Sequence, residues 1–253
     1  MSRFTYVLLL AAGLFGCKKN DGDKDQTPGQ FQSLTFRFGP DSTAITVDHN
    51  IQSIKNLPRS SDPKHLVAAP VLPAGFSISP DPASARDYTA GVTYTVTNSS
   101  GQSFTVQITA PAYDAVSNPY GIYTAKHLND IRNGLNESYV LMNDIQLPDL
   151  VASNVAVTTG ISDYRDYGWF SIGSRYVDGG HVSFRGTLDG QNHVIKNFTS
   201  LYRGNNLPNG IDAGHNGKGC DGLFGYAVKA SFKNIGVQLA ATGITGVATA
   251  ADP

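Results

Sequence analysis

Two carboxylates and a group of aromatic rings are the side chains here whose types and spacing could do chemistry. Asp144 follows Asn143, and Asp189 precedes Gly190. A carboxylate working with a second carboxylate, or with Lys or Arg, is the equipment for acid–base cleavage of a sugar chain. An enzyme of that kind would set two carboxylates, or a cation beside a carboxylate, along one exposed face. The spacing shows no such cluster. Asp before Gly forms turns, and Asp144 stands where the chain must bend, so both are expected to be structural and no catalytic residue is assigned. His181, His193, His215 and Cys220 fit no compact ligand motif, so neither a metal nor a cofactor is expected. Asn197 and Asn234 are expected to hydrogen-bond the backbone of neighbouring chain segments. The aromatics are the better lead: Tyr164, Tyr167, Trp169, Phe170 and Tyr176 crowd one insertion, and Tyr202 opens the next long loop. Ring faces in loops can stack on sugars or anchor a protein. Tyr164, Tyr167, Trp169, Tyr176 and Tyr202 are therefore the candidate ligand-binding residues, with core packing as the competing explanation for Trp169.

The elements that position these groups follow from pattern. Val182, Phe184 and Leu188 alternate with polar residues, Asp189-Gly190 supplies a turn, and a short strand runs through Ile195 and Phe198. Gly222-Leu223-Phe224-Gly225 then leads to Phe232-Lys233-Asn234-Ile235, which repeats the ending of Ile195-Lys196-Asn197-Phe198. The two Lys-Asn steps lie 233 − 196 = 37 residues apart, which predicts stacked coils with a loop from Leu201 to Gly219 bulging between them. Before this region, Thr124 can cap a helix whose Ala125, Leu128, Ile131 and Leu135 follow the 3.6-residue spacing. Tyr139 to Leu147 then reads as one strand. An amphipathic helix at that place would hide the open core and edge of the first coil.

Residues 31–113 have period two instead. Leu34, Phe36 and Phe38 alternate with polar residues. Val92-Thr97 and Phe104-Thr109 form a hairpin through Asn98-Ser99-Ser100-Gly101, with one apolar and one Thr-rich face. Many prolines between short strands imply a small antiparallel sandwich. His49 and His65 read as surface or loop residues. The fold class is mainly β: an Ig-like antiparallel β-sandwich followed by a short right-handed β-helix capped by a helix at its N-terminal end.

Two resemblances carry the finer part of that reading. Trp169, Ile172-Gly173, Phe184 to Phe198 and Gly222-Leu223-Phe224-Gly225 resemble the right-handed β-helix families of bacterial surface proteins with GLUG-type repeats, over roughly Pro119 to Pro253. The helix and the Tyr139-to-Leu147 segment match the opening of those families. Such proteins carry several Gly-Leu-Val-Gly coils where this chain has one, and Ala241 to Gly246 reads like the approach to another; the β-helix start at 119–253 is expected to belong to a fragment or a shortened form. Ser79 to Thr97 resembles the Ig-like domains that follow the lipid anchor in many Bacteroidetes surface proteins, where the sandwich mostly acts as a spacer. β-helix enzymes on acidic polysaccharides pair Asp with Lys or Arg, often with calcium, and a polysaccharide lyase or hydrolase on this scaffold is the alternative to a binding protein. A purely structural stalk is the third reading.

At the N-terminus, Arg3, an apolar run from Phe4 to Phe15 and a small residue before Cys17 have the form of a secretory signal, too short to span a bilayer. Leu14-Phe15-Gly16-Cys17 resembles a lipobox. That resemblance makes residues 1–17 a lipoprotein signal peptide, Cys17 the lipidation site and the membrane a partner. Lys18 after it resembles export to the outer membrane. Residues 18–30 hold no apolar side chain and are expected to be a flexible tether. With 19 basic and 20 acidic residues there is no electrostatic footprint for nucleic acid. Two cysteines, one of them in the leader, exclude a disulfide scaffold. Together these readings describe a surface-exposed, lipid-anchored outer-membrane protein that faces the cell exterior and binds a glycan or a host protein without catalysis.

Overall fold

The computed structural model describes residues 34–38, 43–47, 53–72, 74–149, 168–169, 171–173, 176–177, 180–202 and 222–246. Among them the protein is mainly β, with one short α-helix. β1 (Leu34–Phe38) and β2 (Thr43–Val47) pair antiparallel. β3 (Ser77–Ser79), β4 (Val92–Thr97) and β5 (Ser103–Ile108) form a three-stranded antiparallel sheet in that order. The β4–β5 hairpin is the one its alternation predicts. Tyr94, Val96, Val106 and Ile108 point into a core with Ile54, Leu57, Leu66 and Tyr88, while the threonine side stays more exposed. Its turn is closed by the Asn98 carboxamide oxygen, which accepts from the Ser100 and Gln102 N–H groups at 3.1 and 2.9 Å. Gly101 there takes φ +82°, a left-handed conformation that glycine adopts at no steric cost.

From Tyr120 onward the pairing becomes parallel. β6 (Tyr120–Ile122), β7 (Ser138–Leu141), β11 (Thr187–Asp189) and β13 (Ser231–Lys233) lie side by side in one sheet. β8 (Ile145–Gln146), β12 (Val194–Tyr202) and β14 (Gly236–Gly246) form a second. Parallel bridges Ile172 to Phe224 and Phe184 to Ala227 tie a further side of the same stack. β9 (Tyr176–Val177) and β10 (Gly180–His181) pair antiparallel in this half, as do Gly168 and Ser200 in an isolated bridge. Registers are in step, so Tyr120, Tyr139, Leu188 and Phe232 form one column, buried at Tyr139 and Leu188 and exposed at Phe232. Tyr139, Leu188, Ile145, Ile195, Trp169, Ile172, Phe184 and Phe198 share one core. The helix appears where its spacing puts it: α1 (Ala125–Asn129) starts at Thr124, whose hydroxyl accepts the His127 N–H at 3.2 Å, and continues as a 3-10 turn over Asp130–Asn133. Leu128 and Ile131 are fully buried in that same core.

Two expectations are corrected. The parallel register sets Thr187 beside Ser231, 44 residues on, and Val194 beside Gly236, 42 residues on, so the repeat is not 37. Lys196 pairs with Gln146 inside β12, whereas Lys233 ends β13 opposite Asp189. The two Lys-Asn steps thus fall in different sheets and do not stack. Asn197 and Asn234 both sit at positive φ, +62° and +51°. Asn tolerates that conformation better than most residues, so Lys-Asn marks a local backbone bend rather than a position in the parallel register. Nor is Tyr139 to Leu147 one strand: Asn143-Asp144 forms a corner, and β7 and β8 belong to different sheets.

Close approach between successive strands is set by glycine. A Cβ on Gly186 would collide with the Glu137 carbonyl oxygen, and one on Gly190 with that of Asn234. Overpacking against backbone costs about 1–3 kcal/mol. Gly186→Ala is therefore expected to lower the free energy of unfolding by that amount, read as a lower urea midpoint, and an unchanged midpoint would mean that β7 and β11 are not held this tightly.

Candidate functional site

The residues that join the antiparallel part to the parallel stack also build the rim of a cleft. The Asn56 N–H donates to Asn118 Oδ1 and its side-chain amide to the Pro119 carbonyl, both at 2.8 Å. Gly121 N–H reaches the Leu57 carbonyl at 3.0 Å. The Ser138 N–H donates to the Tyr113 hydroxyl at 2.8 Å, and the Tyr113 ring stacks on Tyr120 with centroids 4.3 Å apart. Arg59 Nε meets Glu137 Oε2 at 2.6 Å with both side chains about one-third exposed, so the pair contributes at most about 1 kcal/mol. Its value is directional, since Tyr139 Oη also donates to Glu137 Oε2, at 3.0 Å.

These contacts hold the 114–118 loop beside the outward face of β7 and β11, and between them lies a cleft of about 580 Å³. Because Tyr139 and Leu188 point inward, their strand neighbours point out. Ser138 and Thr187 are in register, and so are Val140, Asp189 and Lys233. The loop is a closed turn: Asp114 Oδ1 accepts from the Val116 and Ser117 N–H groups and the Ser117 hydroxyl, at 3.0, 2.7 and 2.8 Å. Asn118 donates to the Pro111 and Ala112 carbonyls, each at 2.9 Å. Val116 is thereby held at the wall while 92% exposed.

Charge in and beside the cleft is paired. Asp189 accepts four donors, the Gln191 N–H (3.1 Å) and Nε2 (2.7 Å), Asn234 Nδ2 (3.2 Å) and Lys233 Nζ (3.2 Å). That fills the lone pairs of both oxygens. Burial pushes its pKa up, but the hydrogen bonds from Gln191, Asn234 and Lys233 outweigh burial and the net shift is downward. Asp144 bonds Lys196 Nζ at 2.7 Å, takes the Val194 N–H at 2.9 Å and has His193 Nδ1 at 3.4 Å. The Lys196 hydrogen bond, followed by that of Val194, holds its pKa down at about 2. Both aspartates therefore serve the corners, as their turn positions suggest. The absence of a lysine beside a carboxylate, read from spacing, is corrected: among the described residues in and beside the cleft there are two such pairs, each assembled from chain segments 44 or more residues apart.

Of the residues proposed from sequence, Cys17, Tyr164, Tyr167, His215 and Cys220 lie outside the described residues, as do the leader, the tether and His49. Tyr176 and Tyr202 are placed through their strands, β9 and β12. Trp169 is 2% exposed. Its Nε1 donates to the Leu223 carbonyl at 3.1 Å and the Arg132 guanidinium lies 5.4 Å from its ring, which is the packing role set beside its ligand role above. Asn197 bonds the Leu147 and Pro148 carbonyls of the neighbouring segment as expected, at 3.1 and 3.3 Å, whereas the Asn234 amide reaches the Asp189 side chain. His65 is exposed beside Asp62. Spacing did not reveal Ser138, Thr187, Gln191 and Lys233, because parallel stacking alone brings them together. Val116 did carry a signal: Asp114-x-x-Ser117 is a side-chain-capped turn pattern.

Residues 33–110 match the family described as SGBP, N-terminal, a match over less than a third of the chain. No curated protein matches. A solved chain from Bacteroides thetaiotaomicron, provisionally described as a glycoside hydrolase, is 26% identical over 22% of this chain and 17% of that chain, with a TM-score of 0.21. That overlap is too small to carry a conclusion about fold or activity.

The Asp144 pair sets a pH dependence. Its pKa is depressed in the folded protein, so its contribution to stability is present above the unfolded value of about 3.9 and is lost as pH falls from there through about 2. NMR titration is expected to give a midpoint near about 2 for Asp144, and Lys196→Met is expected to move it up toward the ordinary carboxylate range. An unmoved midpoint would show that Lys196 is not the main cause.

Proposed function

We propose that the protein is a lipid-anchored, surface-exposed outer-membrane protein that binds glycan without cleaving it. Its anchor is Cys17, its tether residues 18–30, and the segment 31–113 is an Ig-like β-sandwich that spaces a right-handed β-helix of GLUG type from the membrane. The observation that carries the reading is the match of residues 33–110 to an SGBP N-terminal family, a surface glycan-binding family of Bacteroidetes. It is supported by the cleft beside that segment, which Asn56 helps to line. Hydroxyls, amides and an apolar wall suit a sugar, which offers hydroxyls on its edges and C–H groups on its faces. Tyr164, Tyr167, Tyr176 and Tyr202 are proposed to supply further ring surface, and a host surface protein remains the other partner class for them.

The lyase or hydrolase reading has one observation in its favour, the two Lys–Asp pairs. It is the weaker reading on chemistry. A carboxylate with a pKa of about 2 is a poor base at neutral pH, and Asp189 has no oxygen free to take a proton from substrate. Native electrophoresis of the protein in gels containing single polysaccharides is expected to show retardation by at least one of them, with no new reducing ends or unsaturated products after prolonged incubation. Replacing Tyr164, Tyr167 and Tyr176 together is expected to reduce that retardation at unchanged melting temperature. Cys17→Ala is expected to release the protein from the membrane fraction. Products accumulating with time would favour the enzyme, and migration unaffected by any polysaccharide would remove the glycan reading.

A further inference from the structure

The cleft sorts ligands by charge. Among the described residues its one lysine, Lys233, faces Asp189 at 3.2 Å. Its histidine, His193, lies 3.4 Å from Asp144, which also holds Lys196 at 2.7 Å. Among the described residues, both lysines in or next to the cleft thus have a carboxylate within ion-pair distance. An acidic sugar would have to share Lys233 with Asp189 and would feel the repulsion of that carboxylate. The other described residues that line the cleft are uncharged. Ser138 and Thr187 stand in one outward column, which Ser231 continues on β13. Neighbouring strands lie about 4.8 Å apart, close to the length of one pyranose unit in an extended chain. A glycan lying across the strands would therefore meet one hydroxyl per sugar. Opposite them stands Val116, 92% exposed on a turn closed by three hydrogen bonds to Asp114. An apolar side chain fixed in water gains by being covered, and its turn is already ordered, so little entropy is lost on contact.

We propose that this cleft binds an uncharged, extended glycan laid across β7 and β11, with Ser138 and Thr187 reading its hydroxyls and Val116 set against a ring face. The proposal rests on the glycan-binding reading above and narrows it to a ligand class. The test is affinity electrophoresis of the full chain with dextran, galactomannan and xyloglucan as neutral probes, and polygalacturonate and chondroitin sulfate as acidic ones. At least one neutral probe is expected to retard the protein and neither acidic probe to do so. Thr187→Val and Val116→Asp are each expected to weaken the neutral interaction about 2- to 10-fold, the range of one net hydrogen bond or a comparable contact, without a change in melting temperature. Val116→Ser adds no charge next to Asp114 and gives the same readout should the Asp variant disturb the turn. Retardation by the acidic probes alone, or neutral binding that all three variants leave untouched, would overturn the proposal while glycan binding itself stands. Indifference to all five probes would overturn both.

Discussion

The parallel register of β7, β11 and β13 is the constraint on which the site depends. A strand of three or four residues has too few hydrogen bonds and too little buried surface to persist alone. β11 persists because it has a partner on each side, and because Leu188 is buried between Tyr139 and Phe232 in the same column. The phase that sends Leu188 in sends Thr187 and Asp189 out. Since side chains alternate with period two, a slip of one residue would turn the hydroxyl and the carboxylate into the apolar core and the leucine out of it. Core register and cleft chemistry are thus a single choice.

The corners bear the next part of the load. Buried strand ends leave backbone groups that need partners, and here side chains from an adjacent strand or corner provide them. Asp144 takes the Val194 N–H, Asp189 gathers Gln191 and Asn234, and Asn197 donates to Leu147 and Pro148. Glycine is needed where strands come closest, as at Gly186 beside Glu137 and Gly190 beside Asn234. Residues that resemble catalytic groups in type are, by their partners, parts of this scaffold. Their fixed charges then shape the cleft indirectly, by leaving Lys233 paired.

The junction with the antiparallel part adds the other wall. Asn56, Arg59, Tyr113 and Asn118 make hydrogen bonds that cross it. No single one is strong, but together they fix where the 114–118 loop stands relative to β7. A cleft formed between a sheet face and a closed turn pays its ordering cost during folding, before a ligand arrives.

Much of this was legible in the residues themselves. The β4–β5 hairpin followed from alternation and its Asn-Ser-Ser-Gly turn, the helix from Thr124 and the Leu128–Ile131 spacing, and the Asp189-Gly190 turn from a carboxylate that takes the Gln191 N–H two residues on. Local chemistry is enough for such features, because their partners lie a few residues away. The 37-residue spacing of the Lys-Asn steps does not match the strand register, because Lys-Asn marks a left-handed bend, which occurs in both sheets, and not a place in the parallel pairing. The Lys196–Asp144 and Lys233–Asp189 pairs, the Ser138–Thr187 column and the wall at Val116 were decided only in three dimensions. The two pairs and the column join segments brought side by side by parallel stacking, and the lengths of the excursions between strands, 49 residues from Ser138 to Thr187 and 44 from Thr187 to Ser231, leave no mark in the strands that they align; the Val116 turn is local, but its place against β7 is set by contacts across the junction.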